Sequence, residues 1–350
     1  MLILTVLLVT LGFTLSAQAE VWRYATEESP GDVQDIYARA FAKSIEAQSN
    51  GDIEVKIYYY GQLGSENDII ELAANGTINF VSVGAGHLGS YVPEVQIVGL
   101  PYLLSRDEDA THQLLTSSRT IYQDLSPKLE RINLKLLSML SEGEMVWGSN
   151  KPIRTPEDFK NQKIRTFTST LPVETYRTFG ATPTPLSWGE VYGSLQLKTI
   201  DGMVNPINFI YSAKWHEVQD YLIFSDLQPY IATFSASNKW FNRLTTDQKQ
   251  IIKIATQAAD KAGFDYQIRT NRDDMAKILK EKPSIQIIRL SDAERERFAL
   301  LSKELHETYF RVVENAYSSN EKAAARELAI RLLQNLTNEI QTPQSKIHEK

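Results

Sequence analysis

The chain has 350 residues, 42% of them hydrophobic and 23% charged, with a formal net charge of −6 and a pI of about 5.6. That length suffices for two domains of ordinary globular composition, and an acidic chain without a basic block is a poor partner for nucleic acid or an anionic membrane. It contains no cysteine, so its stability has to come from large cores rather than disulfides.

Residues 1–19 read MLILTVLLVTLGFTLSAQA. The apolar run from Leu2 to Leu15 is too short to span a bilayer comfortably, and it ends on Ala17-Gln18-Ala19, the small-x-small pattern of a secretory cleavage site. No Lys or Arg precedes the run, which means a weak n-region or a misplaced start; a core helix is the alternative. The expectation is a signal peptide over 1–19, a mature start at Glu20 and a periplasmic protein.

From there the elements alternate. Val21–Ala25 predicts a strand. Val33, Ile36, Tyr37, Ala40, Phe41 and Ile45 fall at helical spacing and predict a half-buried helix from Asp32. Ile53–Tyr59 alternates as a strand. Ser65 and Asp68 form a capping box for a helix that Gly76 closes, and Ile78–Val83 is the next strand. This β-α-β-α-β order predicts an α/β fold with a parallel or mixed sheet.

The second half repeats that grammar. Thr155 caps a short helix with Pro156 at its first position, Lys163–Phe167 is a strand, and Val173–Phe179 a helix closed by Gly180. Ser187 and Glu190 cap a helix starting at Trp188, and Thr199–Val204 is a strand. Thr246–Lys280 has no proline and only Gly263. As one helix it would be about 50 Å long and would bridge two lobes; a broken pair is the alternative. Helices are expected near Asp292–Asn315 and Glu321–Asn338, with a frayed polar tail.

Gly84-Ala85-Gly86-His87-Leu88-Gly89 matches GxGxxG after a strand. A dinucleotide site needs a helix that begins at those glycines, and Pro93 interrupts four residues later; the motif also follows the third strand, not the first. A nicotinamide-dependent oxidoreductase is therefore a weak alternative, and the glycines are read as allowing close approach of a loop. The five histidines, His87, His112, His216, His306 and His348, show no ligand spacing, and no nucleophile motif occurs. No metal, cofactor or catalytic residue is expected.

The candidate binding residues lie elsewhere. Arg165 alternates away from Ile164 and Thr166, and its fork suits a carboxylate; a surface arginine is the alternative. Trp188 and Phe209 are candidate aromatic walls, with core packing the alternative for each. Asn205 ends a strand and offers an amide. Glu28 is a candidate contact, against the reading of Glu27 and Glu28 as solvated loop acids. His87 is a candidate against a plain surface-loop histidine.

Gly61-Gln62-Leu63-Gly64, Gly99–Leu103, Pro152–Arg165, Phe179–Gln196 and Ile200-Asp201-Gly202, in this order, make the chain resemble the solute receptor of a tripartite ATP-independent periplasmic (TRAP) transporter over roughly residues 21–335. The resemblance implies a two-lobed binding protein with hinge strands and a lobe-spanning helix. It also implies a monomer that serves a small and a large membrane permease subunit. In that family the arginine at Arg165 grips the ligand's carboxylate. Trp22–Ala38, Ser141–Ile153 and Thr184–Gly193 look most like the ectoine and hydroxyectoine receptors. That likeness implies Glu28 opposite a ring amidinium, Trp188 and Phe209 on the ring faces by cation–π contact, and Asn205 as a hydrogen-bond partner.

Departures from the pattern bear on the ligand. Met203-Val204-Asn205-Pro206 stands where the family shows Gln-Glu-Asn-Pro, so a carboxylate is lost. His87 replaces an aromatic, and Asn208-Phe209 replaces an aromatic pair. These changes favour a smaller or more polar ligand, with another monocarboxylate or organic acid as the alternative. Glu144-Met145 stands where many members carry a second arginine, which argues against a dicarboxylate. The expected division is lobe I over 20–143 plus about 231–265, lobe II over 144–230 plus about 266–335, and a flexible tail over 336–350.

Overall fold

The computed structural model describes residues 19–104 and 106–342. Residues 1–18 of the expected signal peptide lie outside that range, as do 105 and 343–350. Within it, strands run in chain order as β1 (Glu20–Thr26), β2 (Ile53–Tyr58), β3 (Phe80–Gly84), β4 (Leu134–Glu144), β5 (Val146–Ser149), β6 (Lys163–Thr166), β7 (Thr182–Pro185), β8 (Gly202–Asn205), β9 (Tyr221–Phe224), β10 (Pro229–Ser237) and β11 (Gln286–Arg289). They form two sheets, ordered β2-β1-β3-β10-β4 and β11-β9-β5-β8-β6-β7. In the first, β1 runs parallel to β2 and β3, while β10 is antiparallel to β3 and β4. In the second, β5 is antiparallel to β8 and β9 inside an otherwise parallel sheet. The result is a two-lobed mixed α/β binding-protein fold.

Local signals account for much of this. The helix Glu66–Asn75 opens with the Ser65 N–H donating to the Asp68 carboxylate at 2.7 Å and closes on Gly76 at φ 85°. Thr155 and Ser187 repeat the device, their N–H groups donating to Asp158 at 2.8 Å and to Glu190 at 3.0 Å. Each box satisfies an otherwise orphaned helix-terminal donor.

The chain passes from the first sheet to the second at Met145, between β4 and β5, and returns between β9 and β10. Here Gly143 has φ +107°, a left-handed conformation natural to glycine. The Asn271 side chain donates to the Glu142 carbonyl at 2.8 Å and accepts from the Asn208 N–H at 3.1 Å, which ties the end of β4 and the short helix Ile207–Ser212 to one long helix. That helix, Thr246–Glu281, is a single element of 36 residues, about 54 Å long. Its first half buries Ile252, Ala255 and Ala259 with Tyr37, Phe41 and Ile45, while its far end buries Ile278 with Val146, Met203 and Leu222. One helix thus packs into both lobes, and the broken pair is not what forms.

The C-terminal helices depart from the expected division. Helix Asp292–Ser302 places Phe298 beside Trp147 and Phe159 in the second lobe. Helices Glu304–Asn315 and Lys322–Gln341 instead bury Leu305, Tyr309, Val313, Leu332 and Leu336 in the first lobe's core, with Ile70, Leu88 and Leu115. Polar contacts reinforce the docking. The Tyr309 hydroxyl donates to the Glu94 carbonyl at 3.1 Å, and Tyr317 and Arg131 both donate to the buried Glu94 carboxylate. Residues 336–341, expected as tail, are helical, because their turn carries Leu336 into that core.

Candidate ligand site

The site lies where the lobes meet. From the first lobe come the loop after β1, the turn after β3, and Tyr60 and Glu66. From the second come the ends of β6 and β8 and the turn before Trp188. The lobes are closed on each other: Trp188 N–H donates to Glu66 at 3.3 Å, Gly189 N–H donates to the Tyr60 hydroxyl at 3.2 Å, and Leu171 N–H donates to Gln96 at 2.7 Å.

Arg165 is not a surface residue; it is fully buried at the end of β6. Its Nε donates to the Leu186 carbonyl at 3.1 Å and its Nη1 to Asn205 Oδ1 at 3.1 Å. Nη2 has no protein partner, and no carboxylate forms an ion pair with this guanidinium among the described residues. Its cation faces the Phe167 ring at 4.8 Å and the Trp215 ring at 6.0 Å. Burial pulls its pKa down to about 10 against the opposing charge of Glu66. An arginine that is desolvated, braced on one edge and open on the other can accept an anion on the open edge.

Aromatic rings surround it. Phe167 and Phe209 each pack on Tyr230, with centroids 5.7 and 5.4 Å apart, and Trp188 lies edge-on to Tyr60 at 5.3 Å and near Trp215 at 6.1 Å. His87 is not a surface-loop histidine. It is buried edge-on to Phe167 at 5.1 Å, and burial lowers its pKa to about 4, so it is neutral.

Glu27 and Glu28 are not solvated acids; both are buried, and both carboxylates accept from Gln34. Glu27 accepts from Gly84 N–H at 2.6 Å, from the Tyr230 hydroxyl and from Gln34. Glu28 accepts from Gln34 N–H at 2.6 Å and lies against Glu142. Burial pushes Glu27 up to about 8 and Glu142 to about 7, and burial together with Glu142 holds Glu28 well above the usual carboxylate range.

The glycine motif takes its place here. A one-turn helix does begin at Ala85, contrary to expectation, but the N–H of Gly84 is taken by Glu27 and a Cβ there would collide with Tyr230. Close approach, not phosphate binding, is what this glycine provides. The structure therefore brings Arg165, Asn205, Trp188, Phe209, His87 and Glu28 to one interlobe region. Sequence reasoning missed Glu142, Glu66, Tyr230 and Phe167, whose positions only the tertiary structure reveals. A small cavity of about 40 Å³ adjoins the Phe167 and Tyr230 rings but carries no charged side chain, so the charges and not that cavity locate the site.

A pH dependence follows. A carboxyl whose folded pKa is raised binds more protons in the folded state, so its contribution is complete below the unfolded pKa and is lost as pH rises through the folded one. Glu27, Glu142, Glu144 and Asp260, at about 8, 7, 7 and 7, all act this way, while His87 and the other lowered histidines oppose them only below about pH 6.5. Urea unfolding of the ligand-free protein should therefore show stability falling from pH 6.5 to 8; a flat or rising profile would contradict this assignment of protons.

This fold, with one buried arginine among the described residues and set between closed lobes, is that of a two-lobed solute-binding receptor. A model of the family described as bacterial extracellular solute-binding protein, family 7, matches residues 24–312, and the chain belongs to that family. It is 36% identical over 314 residues to the ectoine/5-hydroxyectoine-binding periplasmic protein UehA of Ruegeria pomeroyi, covering 90% of this chain and 92% of that one. It is 38% identical over 300 residues to the ectoine-binding periplasmic protein TeaA of Halomonas elongata, covering 85% and 87%. The solved structure of the periplasmic ectoine-binding protein from the TeaABC TRAP transporter of Halomonas elongata superposes with a TM-score of 0.86 at 34% identity, covering 92% of this chain and 99% of that one. No helix among the described residues is long and apolar enough to cross a membrane.

Proposed function

We propose that this protein is the periplasmic receptor of a TRAP-type secondary transporter, not an enzyme. It captures a small carboxylate or zwitterion of the ectoine or 5-hydroxyectoine kind by lobe closure and delivers it, as a monomer, to the small and large permease subunits. Arg165 takes the carboxylate with Asn205 beside it, Trp188 and Phe209 cover the ring faces, His87 lines the wall, and Glu28 faces the ring's cation. The observation that carries this reading is the unengaged edge of the buried Arg165 guanidinium, in an aromatic-lined region that also holds the buried carboxyls of Glu27 and Glu28. A ligand with a carboxylate at one end and a delocalised cation at the other satisfies both. The similarity to ectoine-binding relatives supports it.

A second reading, another monocarboxylate or organic acid, is favoured by Val204 and Asn208: the first is apolar, and the second is buried with both amide atoms unpartnered, which suits a ligand with an extra polar group. The nicotinamide reading is disfavoured by the occupied Gly84 N–H.

A thermal-shift panel of ectoine, 5-hydroxyectoine, betaine, amino acids and keto acids tests the proposal. The true ligand at about 100 times its Kd should stabilise the fold by about 2.7 kcal/mol. Silence across the zwitterions with a response to keto acids would select the second reading.

A further inference from the structure

Three carboxyls, Glu27, Glu28 and Glu142, meet on one side of the site, and one residue organises them. Gln34 donates its backbone N–H to Glu28 Oε2 at 2.6 Å and its side-chain amide to Glu142 Oε1 at 3.0 Å and Glu27 Oε1 at 3.1 Å; its own carbonyl accepts from Thr26 at 3.0 Å. One oxygen of each acid is thereby satisfied. Oε1 of Glu28 and Oε2 of Glu142 are buried without a donor, and the two side chains are within hydrogen-bond reach of each other.

The groups that face this pair give it no positive charge. They are Tyr24 of β1, Glu27 and Asp32 of the following loop, Asp35 of helix Val33–Gln48 and Tyr230 of β10, with Asp274 of the long helix beyond Asp32. The lysine and arginine nearby are already engaged, Lys277 with Asp274 and Arg39 with Asp35. Among the described residues no Lys or Arg forms an ion pair with Glu27, Glu28 or Glu142. Two buried carboxyls in contact cannot both ionise without a cation, so they share a proton, as acid dyads do.

We propose that Glu28 and Glu142 form one carboxyl pair that holds a single proton between them, and that a ligand's delocalised cation, an amidinium or guanidinium, replaces that proton and forks across the two free oxygens. The proton leaves to the solvent. Glu142 is then a ligand contact on the hinge strand itself, one residue before Gly143, and the pair selects ligands that carry a fixed cation. Burial raises both acids, which keeps the proton in place near neutrality.

This inference rests on the zwitterion reading above, and the test separates the two. Ectoine is titrated calorimetrically into the full mature protein at pH 7 in phosphate and in Tris, whose ionisation heats differ. The expected result is about one proton released per ectoine bound, and an affinity that rises about tenfold per pH unit below the pair's pKa. Glu142→Gln is expected to lower the affinity for ectoine and to change the number of protons released, since Glu28 then binds its proton alone. Binding with the same apparent enthalpy in both buffers overturns the proposal and leaves the receptor reading intact. Absence of binding to any zwitterion overturns the zwitterion reading instead, and the pair is then judged in ligand-free wild-type protein by carbon-13 carboxyl titration. Retention of one shared proton near pH 7 supports it; two glutamates titrating at about pH 4.3 sink it.

Discussion

Arg165→Ala is expected to abolish most of the affinity for a carboxylate ligand, by at least tenfold. Truncating one partner of a buried, hydrogen-bonded charge pair costs about 2–5 kcal/mol. Here nothing nearby replaces it: Arg165 is fully buried, forms no ion pair with a carboxylate, and is held by Leu186 and Asn205 on edges that leave Nη2 for the ligand. Arg165→Lys keeps the charge but loses the fork and the bond geometry to both braces, so it should recover only part of the affinity. Calorimetry with the ligand found by the panel measures this, with circular dichroism to confirm folding. Affinity unchanged in the alanine variant would place the carboxylate elsewhere.

Leu336→Ala should lower the unfolding free energy by about 2–5 kcal/mol, the range for emptying a leucine site in a packed core. The residue lies beyond where the sequence pattern predicts the globular part to end, yet it is fully buried beside Leu332 and Leu88. A frayed tail would tolerate the change at almost no cost, so urea titration discriminates sharply. Because the helix Lys322–Gln341 docks on the first lobe, the same variant should leave the ligand contacts of the second lobe in place and bind normally once folded.

The pH profile, the ligand panel and the proton count probe different layers of the same arrangement. The profile reports carboxyls that are buried without cations, the panel reports the charge pattern they complement, and the proton count reports how the two are coupled.

The sequence by itself determined the local elements and the family. Capping boxes at Ser65, Thr155 and Ser187, the left-handed glycines and the helical spacing of Val33–Ile45 act over a few residues, and the structure shows them where they are expected. Arg165 was legible because its alternation with Ile164 set it off from the core face of its strand. A proline-free run of this length also fixed the choice between one helix and two only weakly; packing of both its ends into different cores made it continuous.

Tertiary structure decided everything that depends on residues far apart in the chain. Helices 304–341 return to the first lobe because their apolar stripes find its core, and no local signal says which core will bury a stripe. Glu27 and Glu28 read as loop acids, and they are buried because β3, β10 and the helix carrying Gln34 close over them. Glu142, more than a hundred residues away from Glu28 in sequence, reaches it only through the strand order of the first sheet. Desolvation is a property of the assembled interior, and it is desolvation that turns ordinary glutamates and one arginine into a site of opposed charges.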